Sequence, residues 1–113
     1  MEQRRYPRAE VSIMADYMSP HMMIFDYLKD LSLGGAFLYS DTVDTVGTPA
    51  TLIFHLPNRS ASISAKAEVV WVRTSGSESS LSEPGMGIRF CDLKGEDNEA
   101  LAEFLRSLRA ENL

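Results

Sequence analysis

Ser62-Ile63-Ser64-Ala65-Lys66-Ala67-Glu68-Val69-Val70-Trp71-Val72-Arg73 is the longest alternating run in the chain. Ile63, Ala65, Ala67, Val69 and Trp71 fall on one side, and Ser62, Ser64, Lys66, Glu68 and Val70 on the other. Successive side chains of a strand point to opposite faces, so this period predicts a long strand with one face in a core. Its length points to a strand curved round a barrel. The same phase places Trp71 in the core beside Val69 and Ala67.

Working outward, Ala50–Leu56 and Gly85–Phe90 read as the strands on either side in sequence. Pro57-Asn58-Arg59-Ser60 reads as a turn, and the serine-rich stretch Thr74–Pro84 as a flexible surface loop. The alternating glycines of Gly85-Met86-Gly87 predict a close backbone approach or a bulge. Further back, Ala36–Tyr39 is a short strand, followed by a loop from Ser40 to Pro49. Met22–Leu28 is another strand, joined to Glu10–Tyr17 by the turn Ser19-Pro20-His21. Met14, Met18, Met22 and Met23 are assigned to core and hairpin packing rather than to a partner groove. In the other direction the period changes. Leu101, Phe104, Leu105 and Leu108 are spaced as one face of a helix, with acids before it and Arg106 and Arg109 in its last turns. Its apolar stripe is expected to cover an open end of the barrel. The fold class is therefore all-β, a six-stranded antiparallel barrel with a C-terminal α-helix. The 113 residues suffice for one domain, 1–113, divided into an N-terminal segment 1–9, a barrel 10–91 and a helix 95–111.

The net charge of −5 argues against broad binding to DNA or RNA, which takes a basic surface. Positive charge is instead placed locally: Arg4, Arg5 and Arg8 lie within the first eight positions, which suits a discrete anion. No apolar run reaches the length of a membrane span and no signal-peptide pattern opens the chain. The single cysteine, Cys91, fits a reducing compartment, so a cytoplasmic location is expected. His21 and His55 stand apart, in a turn and a strand, with no metal-ligand spacing. Asp30-x-Ser32 with a distant histidine lacks a nucleophile-elbow pattern, and no phosphate-binding glycine loop opens a helix. No catalytic or metal site is predicted, and the chain is not expected to be an enzyme.

Two polar clusters remain. Asp30-Leu31-Ser32-Leu33-Gly34-Gly35 reads as a loop whose adjacent glycines need positive φ or a close approach. It offers a carboxylate, a hydroxyl and backbone N–H groups left uncovered, the parts of a small polar shelf. Arg4-Arg5-Tyr6-Pro7-Arg8 is irregular, and Pro7 stiffens it. The fold is expected to bring both clusters together around one anionic, base-containing ligand.

These residues carry a resemblance. Arg4 and Arg8 fit an Arg-x-x-x-Arg motif, and Asp30, Ser32 and Gly35 fit an (Asp/Asn)-x-Ser-x-x-Gly motif. In this order, about one hairpin apart and with the same strand plan, the chain resembles the PilZ domain, a bacterial receptor for cyclic di-GMP. The resemblance implies ligand contacts at Arg4, Arg8, Asp30, Ser32 and Gly35, with Arg5 as a helper, and no resident cofactor. It also implies an effector protein as partner, in motility, pilus function or exopolysaccharide control. The chemistry agrees: an arginine fork pairs with phosphate or with guanine O6 and N7, and guanine N1–H and N2–H suit a carboxylate. An arginine segment that orders on binding would turn ligand into a conformational signal. Gln3 stands where some members carry another base, and one ligand molecule and an intercalated pair both stay open. Two other readings compete. One is a PilZ-like barrel that binds no nucleotide and serves as a protein-interaction module. The other is an unrelated barrel for single-stranded nucleic acid, which the acidic balance disfavours.

Overall fold

The computed structural model describes residues 7–57, 61–74 and 83–111. The elements run β1 (Ala9–Met18), β2 (Met23–Leu31), β3 (Gly35–Tyr39), β4 (Pro49–His55), β5 (Ser62–Arg73), β6 (Gly85–Phe90) and α1 (Gly95–Glu111). The strands close into a barrel in the order β1-β2-β3-β6-β5-β4, every pair antiparallel. The six-stranded barrel with its C-terminal helix is the expected fold. The turn at 58–60, most of the serine-rich loop and the arginines at 4 and 5 lie outside the described residues.

Alternation fills the barrel. Ile13, Ala15 and Tyr17 of β1, Leu52 and Phe54 of β4, and Ile63, Ala65, Ala67 and Val69 of β5 point inward and are buried. Phe54 and Phe90 stack at 6.1 Å across this core. Fully burying one such large side chain contributes roughly 1.5–3 kcal/mol, so the inner face is what fixes each strand's register. Helix α1 adds Leu101, Phe104 and Leu105 to the same core. Its C-terminal half lies by the N-terminal segment and the β2–β3 turn, with Leu105 and Arg109 lining clefts that also include Pro7 and Leu33. Glu96 and Asp97 in the first turn and Arg109 in the last suit the helix dipole.

Two irregularities change the sequence reading. The register of β5 against β6 shifts between Val69 and Trp71, which pair with the adjacent residues Ile88 and Gly87. An extra residue in one strand reverses the facing of everything after it. Trp71 therefore leaves the inner face predicted for it, while Val69 stays there, fully buried. The close approach expected of the glycines is at Gly87, where a Cβ would collide with the Trp71 ring. The second irregularity lies in β2, between Leu28 and Asp30. It lets Asp30 and Leu31 continue pairing with Phe37 and Ala36. Asp30 is thus a strand residue rather than part of a loop, and the connection shrinks to Ser32-Leu33-Gly34.

Candidate functional site

The β2–β3 connection is tied by one hydroxyl. Ser32 is buried, and its Oγ accepts the N–H groups of Gly34 at 3.1 Å and Gly35 at 3.2 Å. The Ser32 N–H donates to the Gly35 carbonyl at 2.8 Å, and the Phe90 N–H to that of Gly34 at 2.9 Å. The glycine N–H groups expected to be uncovered are therefore engaged inside the turn. Neither glycine has a positive φ. Gly35 answers instead to close packing, because a Cβ there would run into the Ile88 carbonyl of β6. A short turn followed at once by a strand pressed on its neighbour leaves no space for a side chain.

Asp30 stands at the end of β2, with its side chain 28% exposed. Arg8, just before β1, reaches it because Ala9 and Glu10 pair with Leu31 and Asp30. The Arg8 Nη1 donates to Asp30 Oδ1 at 2.5 Å, and the Phe37 N–H donates to the same oxygen at 3.1 Å. Among the described residues no donor reaches Oδ2. The fold thus brings together Arg8 and Asp30, two motif residues 22 positions apart, with Ser32 and Gly35 building the turn beside them. Arg4 and Arg5 lie outside the described residues.

Beside Asp30 is a feature that strand phase alone concealed. Phe37 is the cross-strand partner of Asp30 and of Gly87, and Gly87 is in turn the partner of Trp71. With no side chain at Gly87, the rings of Phe37 and Trp71 meet across β6, stacked at 5.3 Å and 15°. The Arg73 guanidinium sits 5.3 Å from both ring centroids, a cation over two aromatic faces. Its Nη1 donates to the Glu83 carbonyl at 2.9 Å, and the Glu83 carboxylate lies 3.9 Å from Lys29 Nζ. The outside of β2, β3, β6 and β5 therefore carries a carboxylate, two cations and a flat aromatic pair side by side. The sequence signal for this was Gly87, a residue without a side chain in the strand facing the tryptophan.

A second aspartate differs in every respect. Asp44 is 3% exposed and accepts from Tyr17 Oη at 2.5 Å and Ser19 Oγ at 2.6 Å, with His21 Nδ1 3.3 Å away. Burial pushes its carboxyl up, but the bonds from Ser19 and Tyr17 and the His21 charge outweigh that and hold it below the usual range. Burial, reinforced by the Asp44 hydrogen bond and charge, raises the Tyr17 phenol well above its ordinary value. This cluster fastens the β1–β2 turn to the β3–β4 connection. His21 is exposed there as a partner of Asp44, and His55 is exposed at the end of β4.

The fold and the site define a small closed antiparallel barrel with a cluster of polar and aromatic groups on its outer wall. The chain belongs to the PilZ domain family, whose profile matches residues 2–107. PilZ domains are non-catalytic receptor or adaptor modules. The Bacillus subtilis inhibitor of motility (MotI/DgrA) superposes with a TM-score of 0.81 at 17% identity, over 100% of this chain and 54% of that one. The chain thus spans about half the length of that protein. The PilZ domain of YcgR from Escherichia coli, solved with c-di-GMP, superposes with a TM-score of 0.73 at 18% identity, over 98% of this chain and 95% of that one. No curated protein matches the sequence. Among the described residues no helix is long and apolar enough to cross a membrane.

Proposed function

We propose that this domain is a cytoplasmic receptor for cyclic di-GMP that passes the signal to a protein partner in motility, pilus or exopolysaccharide control. The observation that carries the reading is the Arg8–Asp30 pair, both residues at motif positions, part-exposed and beside the stacked Phe37 and Trp71. Cyclic di-GMP offers two phosphodiester charges and two guanines. Asp30 accepts guanine N1–H and N2–H, its Oδ2 being free for this among the described residues. Arg8 then turns to a phosphate, or to O6 and N7 of a base, in bidentate fashion. Arg4 and Arg5 supply further cations from the same segment. Ser32 and Gly35 contribute through the turn that holds Asp30 and Phe37 in place. Trp71 offers a π-face to a purine, at the place where the planar guanidinium of Arg73 now lies.

Calorimetric titration with cyclic di-GMP, with GTP as control, tests this. The expected result is saturable binding to cyclic di-GMP alone, with the stoichiometry deciding between one ligand molecule and two. No heat from a protein shown to be folded overturns the receptor reading and leaves the barrel as a protein-interaction module.

A further inference from the structure

The outer wall away from Asp30 carries an apolar patch with one carboxylate at its centre. Met23, Phe25 and Tyr27 alternate outward along β2, 77%, 65% and 43% exposed. Their cross-strand partners on β1 are Met18, Asp16 and Met14, and β4 adds Ile53 opposite Asp16. Asp16 therefore stands in register between Phe25 and Ile53. It is exposed, and among the described residues it makes neither a hydrogen bond nor an ion pair. The methionines assigned to packing from sequence divide accordingly: Met22 packs against the core, while Met23 is the most exposed large apolar side chain described.

We infer that this face docks an effector protein whose surface presents a lysine or arginine framed by apolar side chains. Large exposed aromatics and methionines are what interface cores are made of, and soluble domains seldom expose several together without use. The lone carboxylate sets the charge of the occupant, since a partner that covers Phe25 and Ile53 must also cover Asp16. Desolvating an unpaired carboxylate is costly, and an incoming cation offsets it. The same residue disfavours a second copy of this chain, because a two-fold contact centred here brings two Asp16 carboxylates face to face. Strand addition along Met23–Tyr27, the stretch of β2 that precedes its pairing with β3, is also disfavoured. Asp26 Oδ1 already takes the Tyr27 N–H, and a charge so placed blunts an edge. The patch shares β1 and β2 with Arg8 and Asp30, so the hairpin that would feel the nucleotide also carries the docking face.

The test uses the full chain in its host cells, with the photo-crosslinker p-benzoylphenylalanine at Phe25 and, as control, at exposed Glu103 on α1, off the wall formed by β1, β2 and β4. The expected result is one adduct from Phe25, absent from Glu103, whose linked peptide contains a lysine or arginine among apolar residues. Asp16→Lys lowers its yield about tenfold, the factor of a lost charge pair, and changing the partner's cation to Glu restores it. Asp16→Asn, which keeps the size of the side chain, lowers the yield as well and replaces Asp16→Lys if that variant melts early. An adduct with a second copy of this chain, equal labelling from Glu103, no adduct, or a yield indifferent to both Asp16 variants overturns the inference. Asp16→Lys leaves cyclic di-GMP affinity unchanged, so failure here and failure of the receptor reading are told apart by calorimetry.

Discussion

Asp30 and Asp44 are both carboxylates gripped by partners distant in sequence, yet their settings are opposite. Asp44 is sealed, with Tyr17, Ser19 and His21 around it and its acidity strengthened. Asp30 is part-exposed, bonded through one oxygen to Arg8 and to a backbone N–H, with aromatic surface beside it. A carboxylate whose donors come from the folded core fastens that core. One whose main partner is a side chain on a terminal segment can exchange that partner for a ligand.

Substitution breaks the comparison most sharply at Asp44. Asp44→Ala leaves the buried Tyr17 hydroxyl without its acceptor and should lower unfolding free energy by about 3 kcal/mol in urea titrations. Cyclic di-GMP affinity of the folded fraction should stay at the parent value. Arg8→Ala should do the reverse. It loses a charge-assisted bidentate contact, about 2–3 kcal/mol of binding or roughly 30- to 150-fold in Kd by calorimetry. Its stability should fall by about 1 kcal/mol or less, because the pair is part-exposed and screened. Equal binding by Arg8→Ala and the parent would remove the arginine segment from the site. Ser32→Ala strands the N–H groups of Gly34 and Gly35 and should reduce stability by about 1–2 kcal/mol, read as an earlier urea midpoint. Trp71→Ala should weaken cyclic di-GMP binding by about 1 kcal/mol if the ring stacks on a base, and not at all if it only shields Phe37.

The pH dependence sharpens the same contrast. The Asp44 carboxyl is more acidic folded than unfolded, so its contribution is present above the unfolded carboxylate range, about 4. That contribution is lost as pH falls through the depressed folded value. Urea midpoints of the parent should therefore drop more steeply below about pH 4 than those of Asp44→Asn. Parallel acid limbs would show that the cluster's bonds do not depend on the charge.

Strand and helix positions were legible because each follows a local period. The runs around Ser62–Arg73 and Gly85–Phe90 match the strands residue for residue, and the spacing of Leu101, Phe104 and Leu105 marks the helix face that enters the core. The motif residues were legible through their resemblance to the paired PilZ motifs, since an arginine pair or an Asp-x-Ser-x-x-Gly run alone is common. Trp71 and Asp30 were misplaced for a single reason. A bulge is a mismatch between two strands, and one strand's sequence does not contain its partner's register. Met23 was misassigned because a methionine is at home in a core or at an interface, and only the neighbouring strands decide which.

The sequence by itself determined the barrel, its closing helix and the chemistry of the two motifs, since hydrophobic period and residue type act locally. Tertiary structure alone decided that Arg8 lies on Asp30, that Phe37 meets Trp71 over Gly87, and that Asp16 stands among apolar side chains with no partner among the described residues. Those are relations between strands, and they are fixed only when closing the barrel sets every register at once.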